Sequence, residues 1–385
     1  MDFDLTPEQQ LFRSTIREFV DKEIRPVARE WEASGRYPTE IVEHMKTMGL
    51  FGITIPESHG GLGLDMVSMT VLFEELSKGW MGVAGIIGSH SLAAWMIDRY
   101  GTEDQRERHL ADLAAGRRRT AIALTEPDGG SDLAGIRTRA VRDGDEYVLS
   151  GTKFWITNAR YADPLPVLAT VEPGSGHRGL CVFLVPGDAE GLTVSRDLGK
   201  LGYKGPESCE VVLDQVRVPA AELLGGEEGQ GFVQVVNALG VGRLNIAGRA
   251  VGVAQESYDR ALEYSRQREA FGRPISGFQA VQLKLADMAT AVQTARLITW
   301  WAAWRADRGE RPDVEAGMAK YHASEVALQL ALESMRIHGG AGYSTELEVE
   351  RLYRDAPLMA IGEGTNDILR TLIAKGLVSG RAVIG

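Results

Sequence analysis

Cysteine is nearly absent: Cys181 and Cys209 are the only two in 385 residues. Two thiols in a chain this long build no disulfide framework, and a reduced, intracellular setting follows. No C-x-x-C pair exists, and the seven histidines never take the H-E-x-x-H spacing, so we expect no metal site. A surplus of positive charge is missing too. The formal net charge of −11 disfavours a binder of phosphate backbones, and hence a nucleic-acid partner. It leaves room for a local basic pocket that takes a phosphorylated small ligand. The start, MDFDLTPEQQ, is acidic and polar, unlike a secretory or transit leader. No apolar run reads as membrane-spanning. Together these absences predict a cytoplasmic protein with no membrane and no nucleic-acid partner.

What is present is length and helical periodicity. A chain of 385 residues exceeds what one core organises, so two or more domains are expected. Residues 1–119 read as helical. LTPEQQLFRSTIREFV opens with Thr6, Pro7 and Gln9, the pattern of an N-cap, a first-turn proline and a capping-box partner. Further helices are predicted in TEIVEHMKTMGL, DMVSMTVLFEELSKG and TEDQRERHLADLAAG. Residues 120–228 read as short strands and turns, rich in Val and Leu and bounded by Gly or Pro. Within them EYVLSGTKFWIT suggests two strand-like runs with a Ser-Gly turn between. Residues 229–385 return to long helices, which pack as a bundle. The fold expected is mostly α with a central β-domain.

Several stretches carry polar chemistry, and each has a plainer reading beside the functional one. LTEPDGGSD, Leu124 to Asp132, would cradle a phosphate on backbone N–H groups, or be an ordinary loop. KFWITN places Trp155 where an indole could stack on a flat heterocycle, or simply join a core. RQREAFG sets Arg266, Arg268 and Phe271 at a helix end, suited to a diphosphate or to helix capping. GEEGQG, residues 226–231, does not match G-x-G-x-x-G, and no run of βαβ units surrounds it, so a Rossmann fold is rejected. In IGEGTNDILR one acid, Glu363, stands between two glycines: a surface loop, or a base held where a substrate must come close.

The joint order is what discriminates. LTEP-x-x-GSD, KFWITN, RQREAFG, RIHGGAGYSTE, YRDA and a lone Glu in EGT follow one another along the chain. In that order they resemble the acyl-CoA dehydrogenase flavoprotein family, over essentially the whole length. The resemblance implies an N-terminal helical domain, a β-barrel-like domain and a C-terminal four-helix bundle, assembled as a homotetramer. It implies FAD, held by Leu124, Thr125, Gly130, Ser131, Trp155, Ile156 and Thr157. Arg268, Phe271 and Gln279 would reach the adenylate half across a subunit boundary. Arg336, Gly339, Gly340, Thr365 and Asp367 would complete the cofactor site. Ser131, Arg243, Gly362 and Gly364 would meet the acyl-CoA substrate.

The implied chemistry is α,β-desaturation of an acyl thioester. Glu363 would take the α-proton while a hydride leaves the β-carbon for flavin N5. The developing enolate oxygen would be held by the Glu363 backbone N–H and a flavin hydroxyl. Apolar surroundings should raise the carboxylate pKa and make it a better base. Some relatives place the base immediately before the arginine that matches Arg243; here that position is Gly242. Many carry an acid three residues before that arginine, and a tyrosine before the catalytic glutamate; here these are Gly240 and Gly362. Both changes suggest a pocket open near the α-carbon. The expected electron acceptor is an electron-transferring flavoprotein. Rival readings are a flavin oxidase of the same fold, a dehydrogenase of acyl groups on a carrier protein, and a DNA-damage-response flavoprotein that binds nucleic acid.

Overall fold

The computed structural model describes residues 4–309 and 313–380, so the expected outer domain bounds, 1 and 385, lie outside it. Helix α1 (Pro7–Phe19) begins with the predicted capping box: Thr6 Oγ1 accepts from Gln9 N, and Gln9 Oε1 accepts from Thr6 N. A π-helical turn, Val20–Ile24, joins it to α2 (Arg25–Ser34). Then come α3 (Thr39–Thr47), α4 (Met66–Tyr100) and α5 (Glu103–Ala114).

The sequence stops α4 at Gly79, and the structure carries it on to Tyr100. A kink at Trp80 (φ −159°, ψ 107°) joins two halves. The second half is apolar on every side and studded with glycine, so it shows no amphipathic period. The expectation that no stretch reaches membrane-spanning length needs correcting here. By length and composition α4 passes, yet 89% of the qualifying window is buried inside the protein, as in a core helix.

The β-domain is one six-stranded sheet. Its strands are β1 (Arg139–Asp143), β2 (Glu146–Thr157), β3 (Leu165–Thr170), β4 (Leu180–Val185), β5 (Leu192–Val194) and β6 (Ser208–Pro219). Their order is β4-β3-β1-β2-β6-β5, antiparallel except for β1 beside β3. Strands β4 and β6 are far apart in that order, yet Phe183 and Val185 share a core with Val211 and Leu213. The sheet therefore curls on itself.

The expected Ser-Gly turn is absent, because β2 runs unbroken through Ser150 and Gly151. Two bulges bend it instead. The pairing steps from Leu149↔Val216 to Gly151↔Leu213, which puts the extra residue on β6. There Gln215 (φ 54°) donates its side-chain amide to Ser150 Oγ. The next step, Lys153↔Val211 to Ile156↔Cys209, puts the extra residue on β2. Trp155 (φ 63°) lies in that step, and its side chain is turned outward, 52% exposed. Bulges re-aim side chains in this way.

The C-terminal part starts with α6 (Gly231–Gln267), followed by a short hairpin of β7 (Glu269–Ala270) and β8 (Arg273–Pro274). Then follow α7 (Gln279–Asp307), α8 (Asp313–His338), α9 (Val349–Ile361) and α10 (Asn366–Val378). Helices α6, α7 and α8 pack on one another, and α9 and α10 pack on α8. Helix α4 lies against α6 and α7, so the first and last helical segments share one core. Buried ion pairs cross the same seam: Arg25 grips Glu256 at 2.6 and 2.8 Å, and Arg296 grips Glu74.

Candidate active site

The loop between α9 and α10 carries Glu363. Gly362 ends α9, donating its N–H to Leu358 O at 2.8 Å, and Thr365 Oγ1 caps α10 by accepting from Ile368 N at 3.3 Å. Thr365 thus has a structural task of its own. Glu363 is half-buried with φ 55°, and Gly364 has φ 89°. Left-handed backbone at a glutamate costs roughly 1–3 kcal/mol and persists only where surrounding structure enforces it. Gly362, at φ −69° and ψ 157°, is ordinary extended backbone. The strain therefore sits on the acid, not on the glycine before it.

That turn aims the Glu363 side chain at α6. A β-carbon placed on Gly242 would lie 2.7 Å from Glu363 Oε2 and 3.1 Å from Cδ. Lys320, fully buried on α8, fixes the loop from below: Nζ donates to Gly364 O at 2.8 Å and to Asn366 Oδ1 at 3.0 Å. Asn366 in turn donates to Ser324 Oγ at 3.0 Å and to Glu325 Oε1 at 2.6 Å. Burial raises the Glu363 pKa, as the sequence suggests, while Arg249, Arg243 and Lys320 pull it back down. Burial also lowers the Lys320 pKa to about 8. Arg243 is 5% exposed, and its Nε and Nη1 groups are buried without an acceptor. The Glu363 N–H meets no protein acceptor among the described residues.

A second constellation forms where LTEPDGGSD meets β2. Phe154 N donates to Thr125 O at 2.8 Å, and Lys153 Nζ donates to Leu124 O at 3.0 Å. Glu126 is the hub. Its carboxylate accepts from Lys153 Nζ at 2.8 Å, from Thr138 N and Oγ1, and from Arg137 N. Lys153 has no exposed surface, and burial lowers its pKa to about 8 although Glu126 opposes the shift. Beyond this anchor the Gly129–Gly130 turn is bare: a β-carbon at Gly129 would meet nothing within 4 Å, and Ser131 is exposed. Ile156 is buried and faces the sheet core, whereas Thr157 is half-buried with Oγ1 3.4 Å from Ser208 Oγ. Asn158 docks the strand end onto α4 through Ile86 O (2.8 Å) and Ser89 Oγ (2.9 Å).

The remaining predicted cofactor residues lie on the surface. The Phe271 ring is 96% exposed and touches Phe278 edge-on at 6.0 Å. Arg268 and Gln279 are exposed around the same hairpin, and among the described residues no hydrogen bond of the Arg268 side chain caps α6. Arg336 is exposed beside Glu333, and β-carbons at Gly339 and Gly340 would meet nothing within 4 Å. The Asp367 side chain is 93% exposed. Among the described residues no hydrogen bond ties these groups to the Glu363 loop. An outward-turned indole, bare glycine turns and exposed arginines fit a ligand with a flat ring system and a diphosphate. Among the described residues no cluster of metal-ligating side chains occurs.

Sequence reasoning missed Glu126, Lys153, Lys320 and Arg249. One signal existed: Lys320 falls on the same stripe of α8 as Ala316, Ala323 and Ala327, all fully buried. A lysine in an apolar stripe must have a buried task.

Comparison with known proteins gives a consistent result. Three family models match in succession: the acyl-CoA dehydrogenase N-terminal domain over residues 6–117, the middle domain over 121–216 and the C-terminal domain over 229–378. A probable acyl-CoA dehydrogenase of Bacillus subtilis, YngJ, is 43% identical over 98% of this chain and all of its own length. A 3-(aryl)acrylate reductase of Clostridium sporogenes is 39% identical over 97% of this chain and 99% of its own. The structure of butyryl-CoA dehydrogenase from Megasphaera elsdenii superposes with a TM-score of 0.96 at 36% identity, covering 98% of this chain and all of that one.

Proposed function

The chain belongs to the acyl-CoA dehydrogenase family, and we propose that it desaturates an acyl thioester with Glu363 as the base. The observation that carries this is the placement of one strained, half-buried carboxylate against Gly242, ringed by Arg243, Arg249 and Lys320. Family members are FAD flavoproteins, and a bound flavin would supply the hydride acceptor. Trp155 and Thr157 would meet its ring, and Thr125, Gly130 and Ser131 its phosphates. Arg268, Phe271 and Gln279 would serve a neighbouring subunit's cofactor, which accounts for their exposure in one chain.

Glu363 removes the α-proton. Burial holds its pKa up, which strengthens it as a base, while the three cations pull it part of the way back down. Its unpaired N–H would donate to the thioester carbonyl oxygen as negative charge develops there. Lys320 holds the Gly364 carbonyl and so anchors the loop that carries that N–H. The position that carries the base in some relatives is Gly242 here, which leaves the task to Glu363. Electrons would leave to an electron-transferring flavoprotein, and the assembly would be a homotetramer.

The test is anaerobic mixing of the flavin-loaded protein with a panel of acyl-CoAs, following flavin bleaching. Glu363→Gln should slow bleaching by about a hundredfold to ten-thousandfold while FAD stays bound. Bleaching by the variant within threefold of wild type would place the base elsewhere.

A further inference from the structure

Arg249 is a buried cation that acts on Glu363 through space but has no carboxylate in direct contact among the described residues. It is 5% exposed, and its Nε donates to Asn245 Oδ1 at 2.7 Å. The guanidinium lies 5.7 Å from the Phe73 ring and 6.0 Å from the Tyr203 ring. Among the described residues it makes no ion pair. Arg243, beside the same carboxylate, is the other such case, whereas Arg25 has Glu256, Arg296 has Glu74 and Arg354 has Glu32. Glu363 is one acid shared by Arg249, Arg243 and Lys320, and a buried cation in surplus is costly, so its retention asks for a further anion from outside the chain.

Position tells where that anion would come from. Gly242, Asn245 and Arg249 are spaced i, i+3 and i+7 and so share one face of α6. Gly242 is the residue that meets Glu363. Arg249 lies on the same side about 10 Å further along the axis. It adds to the positive field at Glu363, to which Arg243 and Lys320 also contribute. Helix α4 makes room for it. A β-carbon at Gly88 would sit 2.0 Å from Arg249 Nη2, and one at Gly85 would sit 1.8 Å from the Tyr203 hydroxyl. Two glycines one turn apart thus clear space on α4 for a cation and a phenol. The end of β2 closes the same region, since Asn158 is bonded to Ile86 and Ser89.

We propose that Arg249 is a specificity-determining residue that receives a carboxylate at the far end of the acyl chain, so that the preferred substrates are monothioesters of short dicarboxylic acids. This rests on the reading of Glu363 as the base that meets the α-carbon. A planar carboxylate matches the guanidinium fork, with the Tyr203 hydroxyl beside it as a further donor. A hydrocarbon end would leave the charge buried and unpaired, and the site would discriminate against it.

The experiment compares kcat/KM of the FAD-loaded enzyme for succinyl-, glutaryl- and adipyl-CoA with butyryl-, valeryl- and hexanoyl-CoA, using an artificial electron acceptor. The wild type should favour the best carboxylated chain over its neutral counterpart by at least about tenfold. Arg249→Gln should cut that ratio by about a hundredfold, chiefly through KM. Arg249→Lys should restore part of it. A wild type that prefers the neutral chains overturns the proposal, whatever the variants do. Loss of both classes by the same factor in Arg249→Gln overturns it as well, because Arg249 would then act through Glu363 alone. If the Gln variant does not fold, the wild-type ratio decides. Bleaching by neither class would instead sink the dehydrogenase reading itself, whereas bleaching by neutral thioesters only sinks this inference and leaves that reading standing.

Discussion

The carboxylate of Glu363 rests against the bare backbone of Gly242, 2.7 Å from where a β-carbon would be. A helix and a loop distant in sequence thus share one point, and an added β-carbon there would displace the carboxylate. Gly242→Ala should push the carboxylate off its line to the α-carbon. Overpacking of a fitted site costs about 1–3 kcal/mol, so kcat/KM should fall roughly tenfold to a hundredfold with flavin content unchanged. Wild-type kinetics in this variant would show that the carboxylate works from another rotamer.

Lys320 acts on the same acid from below. Lys320→Met removes one of the three cations that lower the Glu363 pKa. A base must be deprotonated, so activity rises as pH climbs through its pKa. The acidic limb of the kcat/KM profile should therefore move to higher pH in the variant. Stability carries a second signature. The folded-state pKa of Lys320 is about 8, against an unfolded value of about 10.4. Between these the unfolded chain binds the extra proton, so the lysine makes the wild type gain stability as pH rises. Plots of stability against pH for wild type and Lys320→Met should differ in slope across that window; parallel plots would contradict the lowered pKa of the buried lysine.

The Leu124–Asp132 turn hangs on one buried ion pair. Glu126→Gln leaves Lys153 without its charge partner and loosens the bonds to Thr138 and Arg137. Breaking a buried pair costs about 3–5 kcal/mol. The variant should melt at lower temperature and lose FAD on dilution. Tight flavin binding at an unchanged Tm would detach this pair from the cofactor site.

How much of this was legible beforehand depended on what each residue reports locally. Thr6 and Gln9 announce a helix start because capping chemistry is encoded within four residues. The order of motifs around Trp155, Arg268 and Glu363 carried the family. The second half of α4 was invisible, since a helix buried all round has no polar face to set a period. The Ser-Gly pair at 150–151 looked like a turn because small polar residues favour turns, whereas the decisive information sat across the sheet at Gln215. Gly242 stands out in the sequence only as the position that carries the base in some relatives, and Gly85 and Gly88 do not stand out at all. Their meaning lies in what approaches them from other elements, and no window of sequence holds that.

Gly362 offers the sharpest separation of backbone from pocket. It has φ −69° and ψ 157°, and a β-carbon there would meet only Leu358 O, at 3.4 Å. Any L-residue adopts that conformation. Gly362→Ala should therefore keep or slightly raise stability, by up to about 1 kcal/mol through the unfolded state, with Tm unchanged or higher. Gly364→Ala, forced to φ 89°, should lower it. With the backbone excluded as a cause, Gly362→Tyr becomes a clean probe of the pocket. Its ring would fill the space beside Glu363 that glycine leaves open. Thioesters branched at the α-carbon should then lose kcat/KM at least about tenfold more than straight short ones, since overpacking falls on the bulkier chain. Flavin content must match wild type for the ratio to count. A folded, flavin-loaded Gly362→Tyr enzyme with the wild-type ratio of branched to straight substrates would mean that the space beside Glu363 is not where the α-substituent goes.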